Sequence, residues 1–528
     1  MSRMKNLPLR LLFWFLKNKM IHNILNKIEN PLIFHALILT LVIAYGLIRA
    51  IFFSGLSADE AEQVLFAQSF QWGYDIANPP LYTWVLIGLF SIFGKSAGLV
   101  IALKYAVLAG IYSALYWAAR ISLGPHRTQD HVLVGLSPIL FFFLSWQVIF
   151  NYSHSLLNAL LVIFSFIAFV KILKRGHWLW YAALGLSIGF GVLTKYSYFL
   201  YLIAFVVAGL SLQNLRYFLL SPKIILTLGI AVIVAAPHFI WLAESADRVV
   251  QATNYKLEMG QDISYIAGVG KGLWNLVRAS FAFMSPLWLI VLVVFPVFWK
   301  RSVDKDERLD IDIFLGRIFL VILALMVSMV LFGGITQFRP NYLFLMILFP
   351  LWVFTRMTNN QGLEKRRPLY GMILISGLVL SVGGLGVKAV ADPLGCKKCQ
   401  FLMPYEDMAK ALANVGFSSG TIFATWYPSP LPGNLAVYFK NARVISSKFP
   451  NLHPSKLQES DQCLLVWVPE KSGGLKIQNW AGLANKALGT NIQAGTPVQE
   501  LVFSVFRRPS QSVYLNYILL DPGVGECR

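Results

Sequence analysis

Apolar residues in this chain run in long blocks rather than at the spacing of a surface helix or the alternation of a half-buried strand. Such blocks occupy residues 33–53, 98–119, 131–149, 155–173, 178–193, 196–211, 223–242, 280–299, 314–332, 341–356 and 369–388. A helix crossing the hydrocarbon of a bilayer needs about 20 mostly apolar residues. The pattern therefore predicts eleven spanning helices, with boundaries good to a few residues. The shorter run 81–93 reads as an interfacial or half-buried helix and brings the range to eleven to thirteen. From about residue 391 the pattern shifts to that of a soluble α/β module of 138 residues. It predicts strands at 421–427, 435–439, 443–446, 463–468, 501–506 and 513–519, and helices near 405–415 and 478–488. Pro428, Pro430, Pro432 and Gly433 mark a turn-rich connection.

Charge gives the spans a direction. If residues 1–31 are cytoplasmic, the loops on their side carry fifteen Lys and Arg, among them Arg120, Lys174, Lys300 and Arg367. The opposite loops carry seven: Lys95, Lys195, Arg248, Lys256, Lys271, Arg278 and Arg339. That bias is the one cytoplasmic loops show. It sends the first loop, 54–97, and the C-terminal module, 391–528, to the outer side. Residues 1–31 are basic and broken, with an apolar patch at 11–16 too short for a signal-peptide core, so they read as an interfacial segment on the cytoplasmic side.

Composition agrees with a membrane protein: 57% of the 528 residues are hydrophobic, 13% are charged, and mean hydropathy is +0.62. The net charge of +20 suggests nucleic acid at first sight, but the cations sit in short loops between spans, where they orient helices and meet lipid headgroups. All four cysteines, Cys396, Cys399, Cys463 and Cys527, fall in the C-terminal module. An even number confined to one outer module predicts disulfides, with a zinc or redox role for Cys396 and Cys399 as the alternative.

The candidate chemistry gathers on the outer side. Asp59, Glu60, Glu62 and Asp75 stand in the first loop, with Asn78 and Tyr82 after them. His154, Lys195, His238, Glu244 and Arg339 stand at the ends of later spans. Ionisable groups near membrane depth are costly, and their convergence on one side points to a site. Asp59 sits where a lipid-borne headgroup would be presented, and its carboxylate could accept an acceptor hydroxyl proton or align it. Ser57-Ala-Asp-Glu60 also reads as a capping box, which gives Glu60 a structural role beside a substrate-binding one. Glu62 is a further substrate-binding candidate. Asn78-Pro79-Pro80 fixes an extended approach to a helix start, aiming Asn78 and Tyr82. Lys195 and Arg339 are cations for a phosphate leaving group. His154 and His238 are candidate proton carriers or substrate hydrogen-bond partners. No metal-ligand spacing, phosphate-binding glycine loop or nucleotide fold is visible. An outer enzyme of this kind needs a donor already present there, such as a polyprenyl-phosphate sugar.

These residues carry a resemblance. Asp59-Glu60 after the first span, Trp72-Gly73-Tyr74, Asn78-Pro79-Pro80-Leu81-Tyr82-Thr83-Trp84, Leu193-Thr194-Lys195-Tyr196 and Pro237-His238-Phe239-Ile240-Trp241-Leu242 resemble the bacterial branch of the family 39/83 GT-C glycosyltransferases. That group includes protein O-mannosyltransferases, the lipid A aminoarabinose transferase and lipopolysaccharide galacturonosyltransferases. The resemblance implies inverting sugar transfer from a polyprenyl phosphate to a glycolipid acceptor, lipopolysaccharide core or lipid A, on the periplasmic face of the inner membrane. Asp59 matches the family's first-loop catalytic acid. The resemblance implies metal-independent or weakly metal-linked chemistry and leaves a divalent ion open. Two departures are visible: Asn78 stands where the aminoarabinose transferase has a glutamate, and His154-Ser155 where relatives commonly show an aspartate. A transporter of polyprenyl-linked sugars or lipids is the alternative, and it would be expected to show polar residues through the depth of several spans, broken helices or paired repeats.

Overall fold

The first span starts where the sequence provides its cap. The Asn30 side chain accepts from the Leu32 N–H at 2.9 Å and Pro31 takes the first helical position, opening α1 (Pro31–Phe52). The chain is then extended through Phe53 and re-enters helix at Ser57, the cap of α2 (Ala58–Phe66). The short α3 (Leu81–Phe93) precedes the long α4 (Ala97–Leu123) and α5 (Ser153–Arg175). Beyond these come α6 (Ile224–Ala243), α7 (Tyr265–Met284), α8 (Ile311–Leu331) and α9 (Gln361–Gly395). The computed structural model describes residues 20–74, 78–245, 264–296, 310–357, 361–395, 400–449, 452, 454–455, 462–469, 477–493 and 495–520. Of the basic N-terminal segment, residues 1–19 lie outside this set, and 20–28 are helical.

Among the described residues six helices are long and apolar enough to cross a membrane, α1, α4, α5, α6, α8 and α9, and a seventh span is added if the bent pair Tyr198–Leu210 and Gln213–Leu219 is one crossing. The other expected spans are helical but short or broken. Residues 131–149 are divided among the helix Thr128–Leu136, the 3-10 turn Ser137–Leu140, the short helix Phe142–Ser145 and the 3-10 turn Gln147–Ile149. Pro138 removes a donor inside the run and stops the helix. The expected span 280–299 begins earlier, at Tyr265, and breaks at Ser285-Pro286 before Leu287–Val294. Gly, Lys and Trp in 265–278 hid this helix, whose Lys271 and Arg278 are exposed on its outer face rather than in a loop. The stretch 341–356 is a 3-10 segment, Pro340–Met346, followed by the helix Phe349–Arg356.

The C-terminal module is built on a five-stranded mixed sheet in the order β2-β1-β3-β5-β4. Its strands are β1 (Gly420–Ala424), β2 (Ala442–Ser446), β3 (Cys463–Trp467), β4 (Gln499–Val505) and β5 (Arg508–Leu520). The first three pair in parallel and β5 runs antiparallel to β3 and β4. Five of the six expected strands are present, as are both helices, Tyr405–Asn414 and Ile477–Leu488. The expected strand 435–439 is instead the end of α10 (Leu431–Tyr438). Residues Leu431 to Val437 are buried without a break, a pattern that periodicity cannot assign, and Pro432 at a first-turn position favours helix. The module also starts later than expected, since α9 continues to Gly395.

This module is fastened to the first loop. Gly433 of α10 lies so close to α2 that a Cβ on it would stand 2.0 Å from the Ala61 carbonyl oxygen. Asn434 accepts from the Leu56 N–H at 2.8 Å. The Gln68 side chain donates to the Val444 carbonyl at 3.0 Å and accepts from its N–H at 2.7 Å, satisfying the outer edge of β2. Ser54 donates from its backbone to Phe401 and from its hydroxyl to Met403.

Candidate active site

Asp59 and Glu60 are adjacent in sequence, and α2 sends them to different surroundings. Glu60 completes the capping box: its Oε2 accepts from the Ser57 N–H at 2.8 Å while Ser57 Oγ accepts from the Glu60 N–H at 3.3 Å. Only 1% exposed, it also meets Lys104 at 2.6 Å and Arg49 at 3.3 Å. Burial pushes its carboxyl up, but Lys104 and Arg49 together with these hydrogen bonds outweigh burial and hold it below its ordinary value. Arg49 donates in turn to the Gly55 carbonyl and stands over the rings of Phe53, Phe150 and Phe401. Glu60 thus ties α1 and α4 to the start of α2. Its carboxylate faces those partners, which gives it the structural role the capping box predicts.

Asp59 is half-buried and points toward the start of α5. Its Oδ2 accepts the Tyr152 N–H at 2.6 Å, and Oδ1 has no partner among the described residues. Tyr152 caps α5 in the left-handed region, at φ 76° and ψ 27°, which is costly for a side chain of that size. That conformation turns the N–H out of the helix toward Asp59. The Tyr152 phenol is raised above its ordinary value by burial first and by the Asp59 charge second, with Arg339 acting the other way. Asp59 and Arg339 therefore both lie within electrostatic reach of one ring. Arg339 is exposed, at the start of the Pro340–Met346 segment.

The same first turn of α5 gathers two further residues. Gln63, one turn along α2 from Asp59 and wholly buried, places Nε2 2.9 Å from His154 Nε2 and accepts from the Thr83 hydroxyl at 2.7 Å. The ring of Tyr82, also buried, lies 5.7 Å from the His154 ring. Lys195 donates to Ser155 Oγ at 2.9 Å and stands 5.1 Å from the Tyr342 ring. The turn that carries Lys195 is held to α3, because the Leu81 N–H donates to the Leu193 carbonyl at 3.0 Å. The Asn78-Pro79-Pro80 approach therefore ends beside Lys195, with Asn78 half-buried.

His238 occupies a neighbouring cluster. Its Nδ1 lies 2.8 Å from the Trp72 carbonyl, which can only accept, so Nδ1 carries the proton and Nε2 faces the Tyr196 hydroxyl at 3.1 Å. Gly73 allows this approach: a Cβ there would stand 2.2 Å from the Trp241 ring. Glu62 faces the C-terminal module and pairs with Lys448 at 2.8 Å. Glu244 is exposed just beyond α6. Asp75 lies outside the described residues, as do Cys396, Cys399 and Cys527, whereas Cys463 is disulfide-bonded. Among the described residues no group of three or more His, Cys, Asp or Glu could hold a metal.

Arg49, Lys104, Gln63, Tyr152 and Ser155 were not foreseen from sequence. Lys104 gave a usable signal, an ionisable residue in the middle of an apolar run, which is seldom left without a partner. Gln63 and Ser155 gave none, since their role depends on which helices meet.

Known proteins share this arrangement of chain. A family profile described as dolichyl-phosphate-mannose-protein mannosyltransferase matches residues 77–241. The chain is 26% identical over 425 residues to lipopolysaccharide core galacturonosyltransferase RgtB of Rhizobium johnstonii, covering 79% of this chain and 83% of that protein. It is 25% identical over 437 residues to RgtA of the same organism, covering 80% and 84%. The fold is shared with ArnT from Cupriavidus metallidurans. The crystal structure of that protein bound to undecaprenyl phosphate matches with a TM-score of 0.58 and 13% identity, covering 91% of this chain and 97% of that one. The apo crystal structure matches with a TM-score of 0.55. The chain thus shares the fold of ArnT and is similar in sequence to the two galacturonosyltransferases, and its apolar spans and C-terminal sheet domain are those of a multi-pass membrane protein.

Proposed function

We propose that the protein transfers a sugar from a polyprenyl-phosphate donor to an envelope glycolipid, lipopolysaccharide core or lipid A, on the periplasmic face of the inner membrane, with inversion at the anomeric carbon. Asp59 takes the proton of the acceptor hydroxyl as that oxygen bonds to the anomeric carbon. The bond from that carbon to the phosphate oxygen breaks with its electron pair leaving on the phosphate. Lys195, Arg339 and the N-terminal end of α5 receive the polyprenyl phosphate so formed, since cations and a helix N-terminus both favour developing negative charge.

One observation supports this reading most: the first turn of α5 collects Asp59 through Tyr152, Gln63 through His154 and Lys195 through Ser155. An acceptor-side base and a donor-side cation are held from one rigid element, as a transfer between two bound substrates requires. The relatives' names, lipopolysaccharide core galacturonosyltransferases, support a glycolipid acceptor. The undecaprenyl phosphate bound in the ArnT structure supports a lipid-linked donor. Glycolipid mass spectrometry of cells lacking the gene, then complemented with wild type or Asp59→Asn, tests the reading. A glycolipid short of one sugar, restored by wild type and not by Asp59→Asn, is expected. Unchanged glycolipids on deletion contradict it.

A further inference from the structure

A cavity of about 660 Å³ opens between α7, α8 and the segment 340–356, and it shares no residue with the Asp59 site. Met284, Phe319, Leu323, Met346 and Phe349 give it apolar walls. Leu320 on its rim is 67% exposed, so the cavity opens sideways, where a spanning helix meets lipid. Asp312, Arg317 and Arg356 line it as well. Two guanidinium groups against one carboxylate leave that lining with net positive charge. Arg317 uses Nη1 on the Ser211 carbonyl, at 2.8 Å, and hydroxyl, at 2.6 Å, and its remaining nitrogens make no hydrogen bond among the described residues. Arg356 stands 5.9 Å from the Trp352 ring, and that indole donates to the Asp312 carbonyl at 2.9 Å.

The charged residues mark the end of the bundle away from the C-terminal module. Arg356 closes its helix just before α9, whose 35 residues then carry the chain to that module, roughly 52 Å at the rise of an α-helix. Asp59 lies at the other end, on α2, which α10 of the module packs against.

We propose that this groove holds one acidic phospholipid, its phosphate on Arg317 and Arg356 and one acyl chain along Met284, Phe319, Leu323 and Phe349. A basic pocket between spanning helices, continued by an apolar channel into the bilayer, matches an anion at the headgroup level followed by hydrocarbon. The volume suits such a chain, since small-ligand sites run from about 300 to 1,000 Å³. The second acyl chain stays in the bilayer through the open side. A zwitterionic lipid would bring its own cation against the two arginines. A polyprenyl phosphate shares the phosphate and the hydrocarbon, but its head, held here, would be at the wrong end of α9 for Asp59. The occupant is therefore structural lipid of the leaflet opposite the active site, and its binding does not depend on the transfer reaction.

Native mass spectrometry of the full chain released from nanodiscs of equal phosphatidylglycerol and phosphatidylcholine tests this. Wild type is expected to retain one phosphatidylglycerol about tenfold more often than phosphatidylcholine, the scale of one charge-assisted hydrogen-bonded contact. The Arg317→Gln/Arg356→Gln variant should bring the ratio close to one. Leu323→Trp, which fills the channel and keeps both arginines, should lose the retained lipid of either kind, and it decides the matter alone if the double variant does not fold. Equal retention of the two lipids by wild type, unchanged retention in Leu323→Trp, or a retained mass identified as a polyprenyl phosphate from the host overturns the proposal.

Discussion

Asp59 and Glu60 show how far neighbouring carboxylates can diverge. Glu60 has a capping box and two buried cations, so its removal is a matter of stability. Glu60→Gln removes the charge that faces Lys104 and Arg49 and is expected to cost about 3–5 kcal/mol, the range for breaking a buried pair from one side. Thermal unfolding in detergent measures it. Because the carboxyl is held below its ordinary value in the folded chain, its contribution is fully present above the ordinary carboxylate range and is lost as pH falls through the lowered folded value. Wild type should therefore lose stability in acid over that window, and Glu60→Gln should lose less of it. Gln63→Leu removes the acceptor of the Thr83 hydroxyl and the Gln63 contact to His154, at about 1–3 kcal/mol, read from the same unfolding curves. At this scale the sequence carried the capping box and the candidacy of Asp59. It could not carry the Tyr152 N–H that fixes Asp59, because that bond depends on a backbone conformation disfavoured for tyrosine.

At the scale of elements, the apolar blocks located the long spans well and failed where proline interrupts them. Pro138 and Pro286 convert two expected spans into broken ones, and the helix at Tyr265 was concealed by Lys271, Arg278 and the glycines that interrupt its apolar run. These breaks are among the features expected of a transporter, so the transferase reading rests on the residues gathered around Asp59 rather than on helix continuity. In the soluble module, the strands with flanking turns were legible, whereas the helix Leu431–Tyr438, buried without a break from Leu431 to Val437, was not. The packing of α6 against the first loop is testable at Gly73. Gly73→Ala drives a Cβ into the Trp241 ring and displaces the Trp72 carbonyl from His238, an overpacking cost of about 1–3 kcal/mol. A lowered midpoint of thermal unfolding is the expected result, and an unchanged midpoint would show that the loop yields freely.

Across the whole molecule, the C-terminal module and the first loop form one assembly, because α10 packs directly on α2 and Lys448 reaches Glu62. A side chain at Gly433 meets backbone rather than a flexible neighbour, so Gly433→Val must part the two helices. Faster proteolytic release of the module, with its sheet still folded, and a fall in transfer are the expected outcomes of that variant, measured by limited digestion and by product formation. The most direct measurement takes purified protein in nanodiscs with a synthetic polyprenyl-phosphate sugar and a lipopolysaccharide acceptor, and compares wild type with Asp59→Asn. Wild type should form the glycosidic product with inverted anomeric configuration, and Asp59→Asn should be slower by about 10²–10⁴, the contribution of a positioned general base, with an unchanged thermal unfolding midpoint. Equal rates from the two proteins would contradict the role given to Asp59.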